Sequence, residues 1–387
     1  MLGSAIALAP ACMEMEGEPE EDPGLEEIEG VSEGAMLFNQ ATFGGNGRTC
    51  KTCHPSDNGQ SGTFNPAEAT ARFNANPNDA LFTGDGADTI GGNTFNRIKQ
   101  HATVLITLPL ADTVSIQGSS ARTVTVARGT PTTMNVPALD PVLMYDGREP
   151  DLQSQARNAI IDHAGTSNVT TQQLNDIAAF QRTLFNRNNL KKFFQDGTPV
   201  TLPQGKTMAE KRGRRWFIDD NKTSANDVGE SKFNVCGFCH SGPRLDAMSN
   251  FFVTNVAPPG FFAEGDRFFT VLVSEFNRIG NPTNVFVFDN GDGTTTEVES
   301  PDLGIFALAG FAPPLGNGFF KIPTVWGSKH TAPYFHDNSA KNFVELMDHY
   351  DDAIFILSET DNPETTLGQV DLSEQDKADI IAYMNLL

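Results

Sequence analysis

The sequence predicts a mainly α-helical fold in two halves, with β-hairpins inserted into it. Three observations carry this expectation. The pentapeptide Cys-x-x-Cys-His occurs twice, as Cys50-Lys51-Thr52-Cys53-His54 and as Cys236-Gly237-Phe238-Cys239-His240. Capped apolar stripes with helical spacing lie near both copies, and β-branched runs bounded by turn residues interrupt them. A chain of 387 residues is also long enough for two cores.

In chain order, Met1 to Ala11 is a short apolar run ending at Cys12, and no Lys or Arg precedes Arg48. It reads as the tail of a secretory signal. Ala9-Pro10-Ala11-Cys12 loosely resembles a lipoprotein cleavage box, so a lipid-anchored Cys12 and an incidental one both stand. Glu14 to Glu33 holds ten acidic residues and no basic one, which reads as a solvated linker. Residues 1–33 are therefore taken as leader and linker.

A first domain is expected over 34–195 and a second over 205–387, joined through the polar stretch Asn186 to Gln204. Residues 56–96, rich in Gly, Asn, Asp and Pro, read as loop. Val104 to Leu108 and Ala121 to Val126 read as a hairpin, and Val285 to Phe288 with Thr294 to Val298 as another. Between the latter pair, Asp289 to Gly293 lacks calcium-loop spacing and reads as a plain turn. Helices are expected over Thr170 to Phe185 (apolar stripe Leu174, Ile177, Phe180, Leu184), over Thr207 to Phe217, and over Ser373 to Leu387 with Ile380, Ile381 and Met384 inward.

The repeated pentapeptide carries the chemistry. Its spacing lets two thiols add across the two vinyl groups of one haem while the next histidine binds the iron. One chance match would arise in roughly one such sequence in a thousand, and two in about one in a million. A thioredoxin-like pair needs no histidine, and zinc would need further ligands nearby. Two covalently bound haem c groups are thus expected, on Cys50, Cys53, Cys236 and Cys239, with His54 and His240 as iron ligands. Each domain then resembles a cytochrome c. Attachment of this kind takes place outside the cytoplasm, which points to the periplasm. The net charge of −22 argues against nucleic acid and suits a basic electron-donor protein. No stretch is long and apolar enough to span a membrane.

Four stretches resemble the bacterial di-haem cytochrome c peroxidase superfamily, which includes MauG. They are Arg48 to His54; Thr130-Pro131-Thr132 to Asp146-Gly147-Arg148; Cys236 to Pro243; and Phe320 to Pro323 with Thr331 to Asp337. The resemblance implies that hydrogen peroxide reacts at the first haem while the second relays electrons. It also implies a distal ligand fourteen residues after His336, which is Tyr350, as in the MauG branch. A phenolate favours ferric and higher states. Met347 and His349 are the competitors on the same helix.

The resemblance further implies that Gln155 is the pocket glutamine and Tyr145 a relay between the haems, where the family has tryptophan. The family's acid–base glutamate would fall at Gly165, so His163, or else Asp162, is expected to move the proton. Ala121 stands where the peroxidases carry a removable histidine, and His101 reads as a surface or hairpin-packing residue, which leaves the first iron open. Gly129 replaces a calcium-associated asparagine, which argues against calcium, although the carbonyls of Thr331 and Pro333 remain. Trp326 stands where arginine is usual. The expected activity is peroxide-driven oxidation with a small cytochrome or a protein or organic substrate as electron source. The alternative, favoured by the missing glutamate, is a non-enzymatic electron-transfer cytochrome.

Overall fold

The computed structural model describes residues 30–55, 62–218, 235–255, 262–358 and 371–387. Cys12 and the acidic segment as far as Glu29 lie outside them. The described chain is helix-rich, with three small antiparallel sheets.

Two helix crossings built alike accompany the two Cys-x-x-Cys-His motifs. The helix Val31–Gln40 packs on Thr171–Gln181, and Met208–Arg214 packs on Glu374–Met384. Glycine makes each close approach: a Cβ at Gly34 would stand 1.9 Å from the carbonyl oxygen of Asp176, and one at Gly213 would stand 1.9 Å from that of Asp379. Capping boxes start three of these helices, from Thr170 with Gln173, Thr207 with Glu210, and Ser373 with Asp376.

Two of the helices end earlier than their apolar stripes suggest. After Gln181 the chain turns so that the Leu184 carbonyl accepts from Asn135 N, and after Arg214 the Trp216 carbonyl accepts from Cys236 N. The C-terminal helix buries Ile380 and Met384, as expected, while Ile381 is only half-buried.

Both hairpins form. Thr103–Pro109 pairs with Thr123–Gly129, and Asn284–Asp289 with Thr295–Ser300. The short strand Val114–Ile116 leaves the first hairpin to pair with Asn284–Asp289. The insertions therefore share one sheet and one core, holding Leu108, Val114, Phe286, Phe288 and Phe306. A second core gathers around Trp216, Met248, Trp326, Ile380 and Tyr383. A third, around Phe38, Ile160, Leu174 and Ile177, backs the first motif. In the turn Asp289 to Gly293, Asp289 and Asp292 accept from the backbone N–H groups of Gly291 and Thr294.

Two segments depart from their expected loop character. Pro66–Ala75 is a helix, with Asn65 as cap, Glu68 completing a capping box and Pro66 in the first turn. Asn-Pro-Ala-Glu is a helix start hidden by Gly-rich neighbours. Asn188–Asp196, inside the stretch read as linker, is also helical and ends at the left-handed Gly197. Its fully buried Leu190 joins the core that contains Trp216.

Candidate functional site

Thr49 starts a one-turn helix, Cys50–Cys53, through a capping box with Thr52. His54 follows as its C-cap, and its Nδ1 is 2.9 Å from the Gly62 carbonyl. With Nδ1–H donated there, Nε2 keeps its lone pair for a metal. Burial lowers the imidazole pKa to about 4, so the ring is neutral. Burial also pushes the thiols of Cys50, Cys236 and Cys239 up to about 12. The thiols of a redox-active Cys-x-x-Cys are shifted the other way, downward. Among the described residues no group of three or more His, Cys, Asp or Glu is arranged to hold a metal ion.

His54 opens onto a cleft of about 140 Å³, part of it exposed to solvent. The helix Leu152–Ala164 forms one wall. It presents Leu152, Gln155, Ala156, Ala159, Ile160 and His163, at intervals of three and four residues that keep them on one face. Asp162, one position away, is rotated by about 100°. It is exposed and lines a separate depression with Asn158 and Glu149. Of the two proton-carrier candidates, only His163 shares the cleft with Gln155 and His54. Gly165 is the left-handed cap of this helix, at φ 70°, a conformation that disfavours the glutamate expected at that position.

The end of the helix is tied to the segment just before the first motif. The His163 carbonyl accepts from Asn46 Nδ2 at 2.8 Å and Arg48 Nη1 at 3.2 Å, and the Ala164 carbonyl accepts from Asn46 N at 2.9 Å. The His163 ring meets Asp85: its Nδ1 bonds Asp85 Oδ2, while Asp85 Oδ1 accepts from Arg48 Nη1. Burial raises the Asp85 carboxyl, but its bonds to His163 and Arg48 prevail and hold it below its ordinary value. Asp85 went unnoticed in the sequence because it sits in a glycine-rich stretch that reads as loop. Arg48, although in the matched motif, had no assigned task.

At the second motif, a short 3-10 turn, Cys236–Phe238, leads to His240, whose Nδ1 is 2.9 Å from the Leu245 carbonyl. Burial lowers this imidazole too. The turn carrying that carbonyl is held from outside. Trp326 Nε1 donates to the Pro243 carbonyl at 3.0 Å, and Thr324 Oγ1 to that of Arg244 at 2.6 Å. This accounts for a tryptophan where the resemblance suggests arginine.

The three distal candidates on Phe343–Ser358 differ sharply. Met347 is buried in the core. His349 is engaged on both nitrogens, with Nε2 2.6 Å from the Val271 carbonyl and Nδ1 3.4 Å from Arg278 Nε. Burial raises the Tyr350 phenol, and the nearby Cys236 and Cys239 add to the effect. Its hydroxyl has no hydrogen-bond partner among the described residues, whereas Tyr334 and Tyr383 donate to Ser328 and Pro203 carbonyls.

Tyr145 lines the first cleft, and its carbonyl accepts from Lys321 N at 2.7 Å. Beside it, the buried Arg128 bridges Asp302 and Asp146, and Arg148 also donates to Asp146. His101 is half-buried outside the cleft, and its carbonyl accepts from Asn338 Nδ2 at 2.9 Å. The same amide explains Gly129, where a Cβ would stand 2.2 Å from Asn338 Oδ1. Ala121 is exposed.

Paired cysteines and histidines with Nδ1 already engaged suit haem. Its structural neighbours include a MauG-like protein and a diheme peroxidase. The first is associated with microbial copper homeostasis, at 18% identity over 95% of this chain and 90% of that one, with a TM-score of 0.48. The second is BthA from Burkholderia thailandensis, at 14% over 92% and 85%, TM-score 0.43. Kuenenia stuttgartiensis hydrazine synthase aligns over all of both chains at 16%, TM-score 0.40. No protein-family model and no curated protein matches the chain. At such identities and TM-scores, function has to be read from the chain's own residues. No helix among the described residues is long and apolar enough to cross a membrane.

Proposed function

We propose that this chain is a periplasmic di-haem c-type oxidoreductase that activates hydrogen peroxide in the cleft of His54. The observation that carries the reading is His163: it lies in that cleft beside Gln155, with Nδ1 taken by Asp85. Haem, if bound through Cys50, Cys53 and His54, would supply an iron and ring able to give up the two electrons that cleave the peroxide O–O bond. His163 Nε2 takes the proton from one peroxide oxygen and returns it to the other, which departs as water. The Gln155 amide orients the peroxide by hydrogen bonding. Cys236, Cys239 and His240 would hold the second haem, with the Tyr350 oxygen as a further iron ligand. Tyr145 relays electrons between the sites. The acidic surface receives a basic donor protein, such as a small cytochrome, or the electrons come from a protein or organic substrate. The two halves act as domains over 34–195 and 205–387.

The test is rapid mixing of the oxidised, haem-loaded protein with hydrogen peroxide. Prompt change in the spectrum of the first haem, and turnover when a reduced small cytochrome is added, are expected. A first haem that is six-coordinate and inert overturns the reading. One observation favours a second reading, a non-enzymatic electron carrier. A histidine held by a carboxylate also suits an iron ligand, so His163 closing the first iron gives that inert state. His163→Gln then converts a low-spin first haem to high-spin, a change the enzyme reading does not expect.

A further inference from the structure

The Asp85 turn is built with unusual care for a glycine-rich loop. Arg48, only 3% exposed, donates to the carbonyls of Ala80, Leu81 and Thr83 at 2.9, 3.0 and 2.7 Å. Arg97 donates to the Asp85 carbonyl at 3.0 Å and also bonds that of Ala87. Gly86 lets the turn close, since a Cβ there would stand 2.2 Å from the Leu81 carbonyl oxygen. The outcome is one buried carboxylate with its oxygens divided, Oδ1 to Arg48 and Oδ2 to His163.

We propose that Asp85, clamped by Arg48, is a positioning residue that holds His163 with Nε2 turned into the cleft as proton acceptor. The proposal rests on the peroxide-activating reading above and names what makes its base work. A neutral imidazole has one N–H and one lone pair, and the partner of one nitrogen decides which is which. With Nδ1–H donated to Asp85, the lone pair stays on Nε2. Once Nε2 takes a proton, the adjacent carboxylate stabilises the cation, and the proton passes on without Asp85 itself being protonated. Arg48 prevents Asp85 from swinging away, and it leads directly into Cys50. The loop that presents the base and the motif that presents His54 are thereby fixed to each other by one side chain.

The experiment compares two ligands of the ferric first haem in the haem-loaded protein, read by absorbance. Hydrogen cyanide must lose a proton to bind, whereas nitric oxide brings none. In Asp85→Asn, cyanide binding and the reaction with peroxide should each slow by about tenfold to 10²-fold, with nitric oxide binding unchanged. Asp85→Glu should recover part of the loss. Should the single variant fail to fold because Arg48 is left buried and unpaired, Arg48→Gln with Asp85→Asn carries the same comparison. An unchanged cyanide rate overturns the proposal. Equal slowing of cyanide and nitric oxide also overturns it, since that marks a collapsed cleft. A wild-type protein inert to peroxide, with the cyanide pattern intact, overturns the peroxide reading while the positioning role stands.

Discussion

The indole N–H of Trp326 donates to the carbonyl of Pro243 at 3.0 Å, two residues before the carbonyl that receives His240 Nδ1. Outer partners of this kind fix the ring orientation and basicity of a metal-binding histidine. Trp326→Phe leaves the Pro243 carbonyl without this donor, at a cost of about 1–3 kcal/mol. In the haem-loaded protein the reduction potential of the second haem should shift while that of the first stays put. Redox titration followed by absorbance checks this, and an unmoved second potential shows that Thr324 alone suffices to hold the turn.

Tyr350 is the distal candidate whose polar atom is left without a partner among the described residues. Tyr350→Phe should turn a low-spin ferric second haem high-spin, as read by electron paramagnetic resonance. Met347→Leu should leave the spectrum as it was, because Met347 is packed in the core. The reverse pattern assigns the ligand to sulfur.

The helix starts near Thr170, Thr207 and Ser373 were legible in the sequence because caps and apolar stripes are short-range patterns. The Asp85–His163 pair spans 78 residues, and no periodicity announces a contact of that kind. Asp85 was hidden by its glycines, and the helix Pro66–Ala75 by the same low-complexity surroundings. The sequence preferred His163 to Asp162 on imidazole chemistry alone; that one residue of rotation separates cleft from solvent is visible only with the helix in place. The sharing of one sheet by Val114–Ile116 and Asn284–Asp289 was likewise out of reach, because strand partners are set by packing rather than local pattern.

Gly34 and Gly213 should tolerate no side chain. Each faces a backbone carbonyl that cannot rotate away, and overpacking costs about 1–3 kcal/mol or more. Gly213→Ala should lower the thermal midpoint by several degrees, with a matching loss for Gly34→Ala. Calorimetry checks both, and a wild-type midpoint for either variant shows that its helix pair can slide apart at no cost.

Asp302 makes stability depend on acid. Its carboxylate is 3% exposed and takes two hydrogen bonds from Arg128, at 2.7 and 2.8 Å. Burial acts to raise this carboxyl, yet Arg128 prevails and holds it below its ordinary value of 3.8. A group depressed in the folded state contributes stability that is fully present above the unfolded value and is lost as pH falls through the folded one. The wild-type protein should therefore lose stability progressively once the pH drops below about 4. Asp302→Asn should lack that part of the slope. At pH 7 it should be less stable by about 3 kcal/mol, towards the low end for a broken buried pair because Asp146 still faces Arg128. Urea unfolding from pH 3 to pH 7 measures both effects. Parallel stability curves for the two proteins would mean that the Arg128–Asp302 pair adds nothing to the pH dependence.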